Sequence, residues 1–178
     1  MKYFNELSKA MSFLGKNKKT VFIGQAVTYP GTAMTNTLKG VSINQKLELP
    51  VAEEMQMGMT LGLAFEGYIP VSIYPRWNFL ILALNQLVNH IDKVNEMGNG
   101  NFQNKIIIRT GIGSQRPLHP QSQHISDFTE SLKKMCSNIE FIKLKNPKDI
   151  MPAYKKALNR KDKKVSVIVE YGDYYNEK

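Results

Sequence analysis

One cysteine, Cys136, is all the thiol this sequence offers. A single thiol cannot close an internal disulfide, so a disulfide-stapled fold is excluded and a reducing compartment is expected. Cys136 falls on an apolar helix face, which reads as core rather than nucleophile. Long hydrophobic runs are missing too. The stretch Phe79 to Leu84 is far too short to cross a bilayer. The start of the chain, MKYFNELSKAMSFLGKNKK, reads as an amphipathic helix with no signal-type apolar segment behind it. A cytoplasmic protein is therefore expected. Acids are the scarcer charge, 15 against 24 basic residues, for a net charge of +9. The excess lies largely in the last third, from Lys133 to Lys164. There it has the pattern of solvated helix faces rather than an aromatic-interleaved nucleic-acid stripe. Internal repeats and low-complexity tracts are also lacking.

What is present is a single domain of 178 residues, 42% hydrophobic and 22% charged, long enough for a substantial core. Short β-branched runs alternate with helical patterns. TVFIG at Thr20 to Gly24, YIPVSIY at Tyr68 to Tyr74, KIIIRT at Lys105 to Thr110, EFIKL and VSVIVE read as strands. Helices are expected near Tyr3 to Leu14, Thr32 to Leu38, Val51 to Phe65 and Asn78 to Val94, then over SDFTESLKKMC and DIMPAYKKAL. The alternation predicts a three-layer α/β domain with a mainly parallel sheet. Ligands of such sheets bind beyond the carboxyl ends of the strands. The loops after Gly24, Tyr74 and Thr110 are thus the ones to inspect, joined by the entry after Leu49 if LEL feeds the same edge.

The most informative stretch is LPVAEEMQMGMTLGLAFEG, Leu49 to Gly67. Glu53 and Glu54 open a helix whose methionines, leucines and phenylalanine fall on every side, so the helix is expected to be buried all round. Gly58 and Gly62, four apart, would let another backbone approach. Either acid can simply favour the positive end of the helix dipole. A carboxylate entering an apolar helix must also be paired, hydrogen-bonded or protonated, which makes one of the two a candidate working group.

The order FIGQAVTYPGTA, LPVAEEMQMGMTLGLAFEG, WNFLILALNQLVN, RTGIG, HPQSQHISDF and KNPKDIMPAYKKAL resembles the pyrimidine-binding domain of thiamine diphosphate enzymes. It looks closest to the β subunit of 2-oxoacid dehydrogenases, with transketolase as a cousin. The resemblance implies that Glu53 hydrogen-bonds a ring nitrogen of the cofactor's aminopyrimidine and promotes the imino form that activates the thiazolium carbon. It implies that Trp77 and Phe79 flank that ring, though for either residue a core position is an equal alternative. His119 would face substrate, with Gln121 beside it and Ser122 in support. His90 reads as packing or subunit contact, and His124 as a helix starter. Gln25 stands where these β subunits usually carry an acid. Arg76 replaces an uncharged residue and could read a phosphate or carboxylate of the substrate.

The family's magnesium and diphosphate signature, GDG with a downstream asparagine, has no counterpart after Gly172-Asp173. By resemblance, Mg2+ and the diphosphate would be held by an α-like partner subunit carrying GDG…N, in an α2β2 heterotetramer. No metal site is expected on this chain. The expected activity is decarboxylation of a 2-oxoacid or transfer of a two-carbon ketol unit, active only with the partner. The alternative is a non-catalytic regulatory or binding module of the same fold.

Overall fold

The β-branched runs form the central strands, which pair with a neighbour on both sides, and the sheet that results is parallel throughout. The computed structural model describes residues 2–30, 32–102, 105–116, 119–162 and 164–177. Gly31 of the expected turn and residues 117 and 118 of the His119 loop lie outside the described residues. The strands are β1 (Thr20–Gly24), β2 (Lys46–Glu48), β3 (Ile69–Ile73), β4 (Ile107–Ile112), β5 (Ile139–Lys143) and β6 (Val165–Tyr171). They make one six-stranded sheet in the order β2-β1-β3-β4-β6-β5. LEL does feed the same edge, because β2 pairs in parallel with β1, Gly24 opposite Glu48. The α/β class expected from the alternation is what the chain adopts.

The helices are α1 (Tyr3–Gly15), α2 (Ala33–Asn36), α3 (Glu53–Phe65), α4 (Trp77–Leu80), α5 (Val94–Met97), α6 (Thr129–Met135), α7 (Pro147–Asn159) and α8 (Tyr174–Glu177). Residue alternation along the strands supplies a core on each face. In β6, Val165, Val167 and Val169 join α3, α6 and the α4–α5 region, while Ile168 joins α1 and α7. Among the described residues, no helix is long and apolar enough to cross a membrane.

Two expectations need correcting. The helix expected over Asn78 to Val94 keeps a continuous buried stripe of Leu80, Ala83, Leu87, Ile91 and Val94, but its pitch is not uniform. It tightens to a 3-10 turn at Ile81–Ala83 and widens to a π segment at Gln86–Ile91, where the Asp92 N–H reaches back to the Leu87 carbonyl at 2.9 Å.

The second concerns α3, which is not buried all round. Its inward stripe is Glu53, Gln56, Met57, Thr60 and Ala64. Met55 is 45% exposed and Met59 37%, and nothing stands within 4 Å of where a Gly62 Cβ would be. The polar side chains turn in because the ends of β1 and β3 present partners for them, leaving the apolar side uncovered in the single chain.

Candidate functional site

The carboxyl ends of β1 and β3 bring the candidate residues together. Gly24 ends β1 with φ +155°, and a Cβ there would lie 2.6 Å from the Ile73 carbonyl, so only glycine fits this close strand pair. The turn that follows is shaped by Glu48. Its carboxylate accepts the backbone N–H groups of Ala26 (2.5 Å), Val27 (2.9 Å) and Thr28 (2.7 Å), and the Thr28 hydroxyl at 2.8 Å. Ala26 is held at φ +52° in the process, a strained value for a non-glycine residue. Burial works against the charged form of Glu48, but the Thr28, Ala26 and Val27 donors outweigh it and hold the carboxyl below its usual range. Gln25 is thereby presented at the mouth of the sheet.

Glu53 enters from the other side, on the first turn of α3. It is 7% exposed. Its backbone carbonyl accepts the Tyr74 hydroxyl at 3.2 Å, but among the described residues its carboxyl has no hydrogen-bond or ion-pair partner. Burial pushes the Tyr74 hydroxyl far above the usual tyrosine range, so this residue remains a neutral donor. A narrow crevice of about 10 Å³ is walled by Gln25, Glu53, Gln56, Tyr74, Pro75 and Phe79. Glu54, one residue on, points away and accepts a hydrogen bond from Asn85 at 2.9 Å in an exposed position.

Gln25, Pro75 and Phe79 also wall a larger adjoining cavity of about 540 Å³, which is lined further by Arg76, Met34, Ser114 and Tyr175. Arg76 donates to the His124 carbonyl at 3.3 Å, where the bare Gly113 backbone leaves no room for a Cβ. Among the described residues, no aspartate or glutamate lines this cavity. Gly111 and Gly113, the expected glycines of RTGIG, form its floor.

The structure separates the two aromatic candidates. Phe79 faces the crevice, whereas Trp77 is fully buried against Phe128 and Phe141, with ring centroids 6.5 and 6.4 Å away. Trp77 lines neither cavity; the helix start points it under the sheet, into the core. His119 and Gln121 lie in an exposed loop, the Gln121 N–H donating to His119 Nδ1 at 3.0 Å. Among the described residues neither reaches the crevice or the larger cavity. Gln121 holds φ +58°. His124 packs its ring 5.6 Å from that of Phe79. Cys136 is 6% exposed, and burial pushes its thiol up to about 11, in keeping with a core residue.

Glu48, Gln56 and Tyr74 are the contributors that sequence reasoning missed. Each acts across the sheet or between helix and sheet. The one available signal was a glutamine on an otherwise apolar helix.

Comparison with known proteins gives these groups a context. The model of the transketolase pyrimidine-binding domain matches residues 1–176. The chain is 31% identical over 134 residues to the pyruvate dehydrogenase E1 component subunit beta of Gracilaria tenuistipitata var. liui, covering 72% of this chain and 42% of that protein. It is 33% identical over 87 residues to the subunit of the same description from Chaetosphaeridium globosum, covering 48% of this chain and 27% of that protein. The chain thus spans less than half the length of these relatives. Among solved structures it resembles one described as a split gene transketolase, inactive beta4 tetramer, with a TM-score of 0.72 and 18% identity over 94% of this chain and 50% of that one. The transketolase of Campylobacter jejuni subsp. jejuni superposes with a TM-score of 0.71 at 13% identity, covering 94% of this chain and 25% of the other. With the family model matched over nearly its whole length, the chain belongs to the transketolase pyrimidine-binding domain family.

Proposed function

We propose that this chain is the pyrimidine-binding subunit of a thiamine diphosphate enzyme, and that Glu53 is the carboxyl that meets the cofactor's aminopyrimidine. The observation that carries this reading is Glu53, a residue only 7% exposed, whose carboxyl has no partner among the described residues and borders a crevice beside Gln25 and Phe79. A carboxyl with no protein partner on a largely buried residue is free to take a ligand, and a ring nitrogen that shares a proton with it would supply that partner once water is excluded. Gln25 supplies an amide that can donate or accept, and Phe79 an apolar face for a flat ring. The crevice itself is too small to enclose a ring, so the ring would lie against this wall with a second chain covering it.

Thiamine diphosphate, when bound, supplies the electron sink for breaking a bond next to a ketone. Glu53 holds or yields a proton at its carboxyl oxygens, and Tyr74 fixes the turn that carries it. Arg76 presents a cation in the adjoining cavity, suited to a carboxylate or phosphate of the substrate. His119 and Gln121 are assigned to the substrate side, where their exposed loop would face the second chain.

The diphosphate and Mg2+ are assigned to an α-like partner carrying GDG…N, in an α2β2 assembly. The relatives described as E1 beta subunits support that assignment. So does the uncovered Met55–Met59 side of α3, which adjoins the Glu53 turn and would be sealed from water by a neighbouring chain. The reaction assigned is decarboxylation of a 2-oxoacid or transfer of a two-carbon ketol unit. A single buried thiol suits a cytoplasmic setting.

The test is to assemble the chain with its diphosphate-binding subunit and measure cofactor binding and turnover of a 2-oxoacid and of a ketose phosphate. Glu53→Gln should lower kcat about a hundred- to ten-thousandfold, the usual worth of a positioned proton-transfer group. Unchanged turnover in that variant removes the assignment.

A further inference from the structure

Because α3 is apolar on nearly every side, burial of apolar surface gives it little reason to prefer one rotation about its own axis. Three stripes were available to face the sheet. One is Met55, Met59 and Leu63, a second is Gly58, Leu61 and Phe65 with Glu54 at its head, and the third is Glu53, Gln56, Thr60 and Ala64 with Met57. The structure uses the third, the most polar of them. Apolar packing by itself would favour either of the others.

The selecting contact is visible at Gln56, which is 1% exposed. Its Nε2 donates to the Ile73 carbonyl at 3.0 Å and the Ser72 hydroxyl at 3.1 Å, with the Ile23 carbonyl at 3.4 Å. Two backbone carbonyls around one atom fix the amide orientation, since a carbonyl oxygen there would be repelled. One turn on, the Thr60 hydroxyl donates to the Gln56 carbonyl at 2.8 Å and lies 2.9 Å from the Ser72 hydroxyl. Gln56 therefore bridges the ends of β1 and β3, and it lines the same crevice as Glu53, three residues earlier on the same stripe. Directional hydrogen bonds distinguish between orientations that apolar contact leaves nearly equal in energy, as single buried polar groups do in coiled-coil register.

We propose that Gln56 is a positioning residue that sets the rotation of α3 by locking its carboxamide onto the carboxyl ends of β1 and β3, and thereby decides that Glu53 faces the crevice. Its consequence for catalysis rests on the Glu53 assignment above; the orientation of the helix does not. The experiment is therefore done first on the chain alone. Methionine methyl groups are labelled for NMR, and a soluble paramagnetic probe reports which of them meet solvent. In the native chain the Met55 and Met59 methyls should be attenuated and Met57 protected. In Gln56→Leu, which keeps side-chain volume but removes the donors, Met55 and Met59 should gain protection and Met57 lose it. Gln56→Ala should show the same reversal, and Leu80→Ala, a core truncation elsewhere, should retain the native pattern. A native pattern in Gln56→Ala, or in a folded Gln56→Leu, overturns the proposal, as does a reversal in Leu80→Ala.

In the assembled enzyme, Gln56→Leu should then lower kcat about a hundredfold with substrate KM within about twofold, the signature of lost positioning rather than lost binding. Full activity in Glu53→Gln alongside a reversed methyl pattern in Gln56→Leu would sink the cofactor assignment and leave this one standing. Equal loss of kcat in Leu80→Ala would mark the effect as general destabilisation and overturn the positioning role.

Discussion

At the scale of single residues, the site consists of acids with different satisfaction. Glu48 is fully used, its two oxygens taken by a turn that delivers Gln25. Glu53 is 7% exposed, and its carboxyl has no partner among the described residues. Sequence pattern marked Glu53 and Glu54 alike as acids at a helix start, the family resemblance singled out Glu53, and the pattern placed Gln25, Arg76 and Phe79 on loops that the structure brings to the carboxyl edge of the sheet. It could not see Glu48, since the carboxylate and its donors are 20 to 22 residues apart. Nor could it separate Trp77 from Phe79, which differ only in the direction their helix start points them. Glu48 carries a pH signature. A carboxyl held below its usual range in the folded chain adds stability that is fully present above the unfolded-state value, about 4.3, and is lost as the pH falls through the lower folded value. Acid titration of stability should therefore be shallower for Glu48→Gln than for the native chain across that window. Parallel curves, followed by denaturant unfolding at several pH values, would deny Glu48 this role.

At the scale of elements, α3 is inverted relative to an ordinary surface helix. Its polar stripe meets the sheet, while Met55 and Met59 meet solvent. The periodicity of the sequence could show only that the helix is apolar on all sides, and burial all round was the natural expectation. What it lacked was knowledge that the carbonyls of β1 and β3 end just where Gln56 can reach them. The exposed side carries Met55, Met59 and Phe65 between Glu54 and Glu66, an apolar, methionine-enriched patch with charge only at its ends, as interface cores have. Met59→Glu should leave the stability of the isolated chain within about 0.5 kcal/mol, as exposed substitutions usually do. It should also weaken assembly with the partner by at least tenfold, read by light scattering on mixtures of the two. Undiminished assembly would show that this face is not the contact.

At the scale of the whole molecule, one buried ion pair ties the layers together. Arg109 of β4 bonds Glu170 of β6 at 2.5 and 3.0 Å, both fully buried. Tyr154 of α7 donates to Glu170 at 2.7 Å, Tyr175 of α8 also bonds it, and Arg109 reaches Thr37 beyond α2 at 2.9 Å. Burial opposes the charge of Arg109, but Glu170 beside it outweighs that and holds the guanidinium firmly protonated. Glu170→Gln should cost about 3–5 kcal/mol in chemical denaturation, because it strands a buried cation, whereas Arg109→Met with Glu170→Leu should recover much of the loss. A single variant as stable as the native chain would refute this account. By itself the sequence determined the α/β class, the parallel sheet and the loops that meet at its carboxyl edge, because strand and helix periodicities are local and each writes its own pattern. Only the tertiary structure decided which stripe of α3 turns inward, which aromatic ring faces the crevice and which acid at the crevice has no partner among the described residues. Those outcomes depend on hydrogen bonds between residues distant in the chain, whose energies exist only once the sheet has brought the partners within reach.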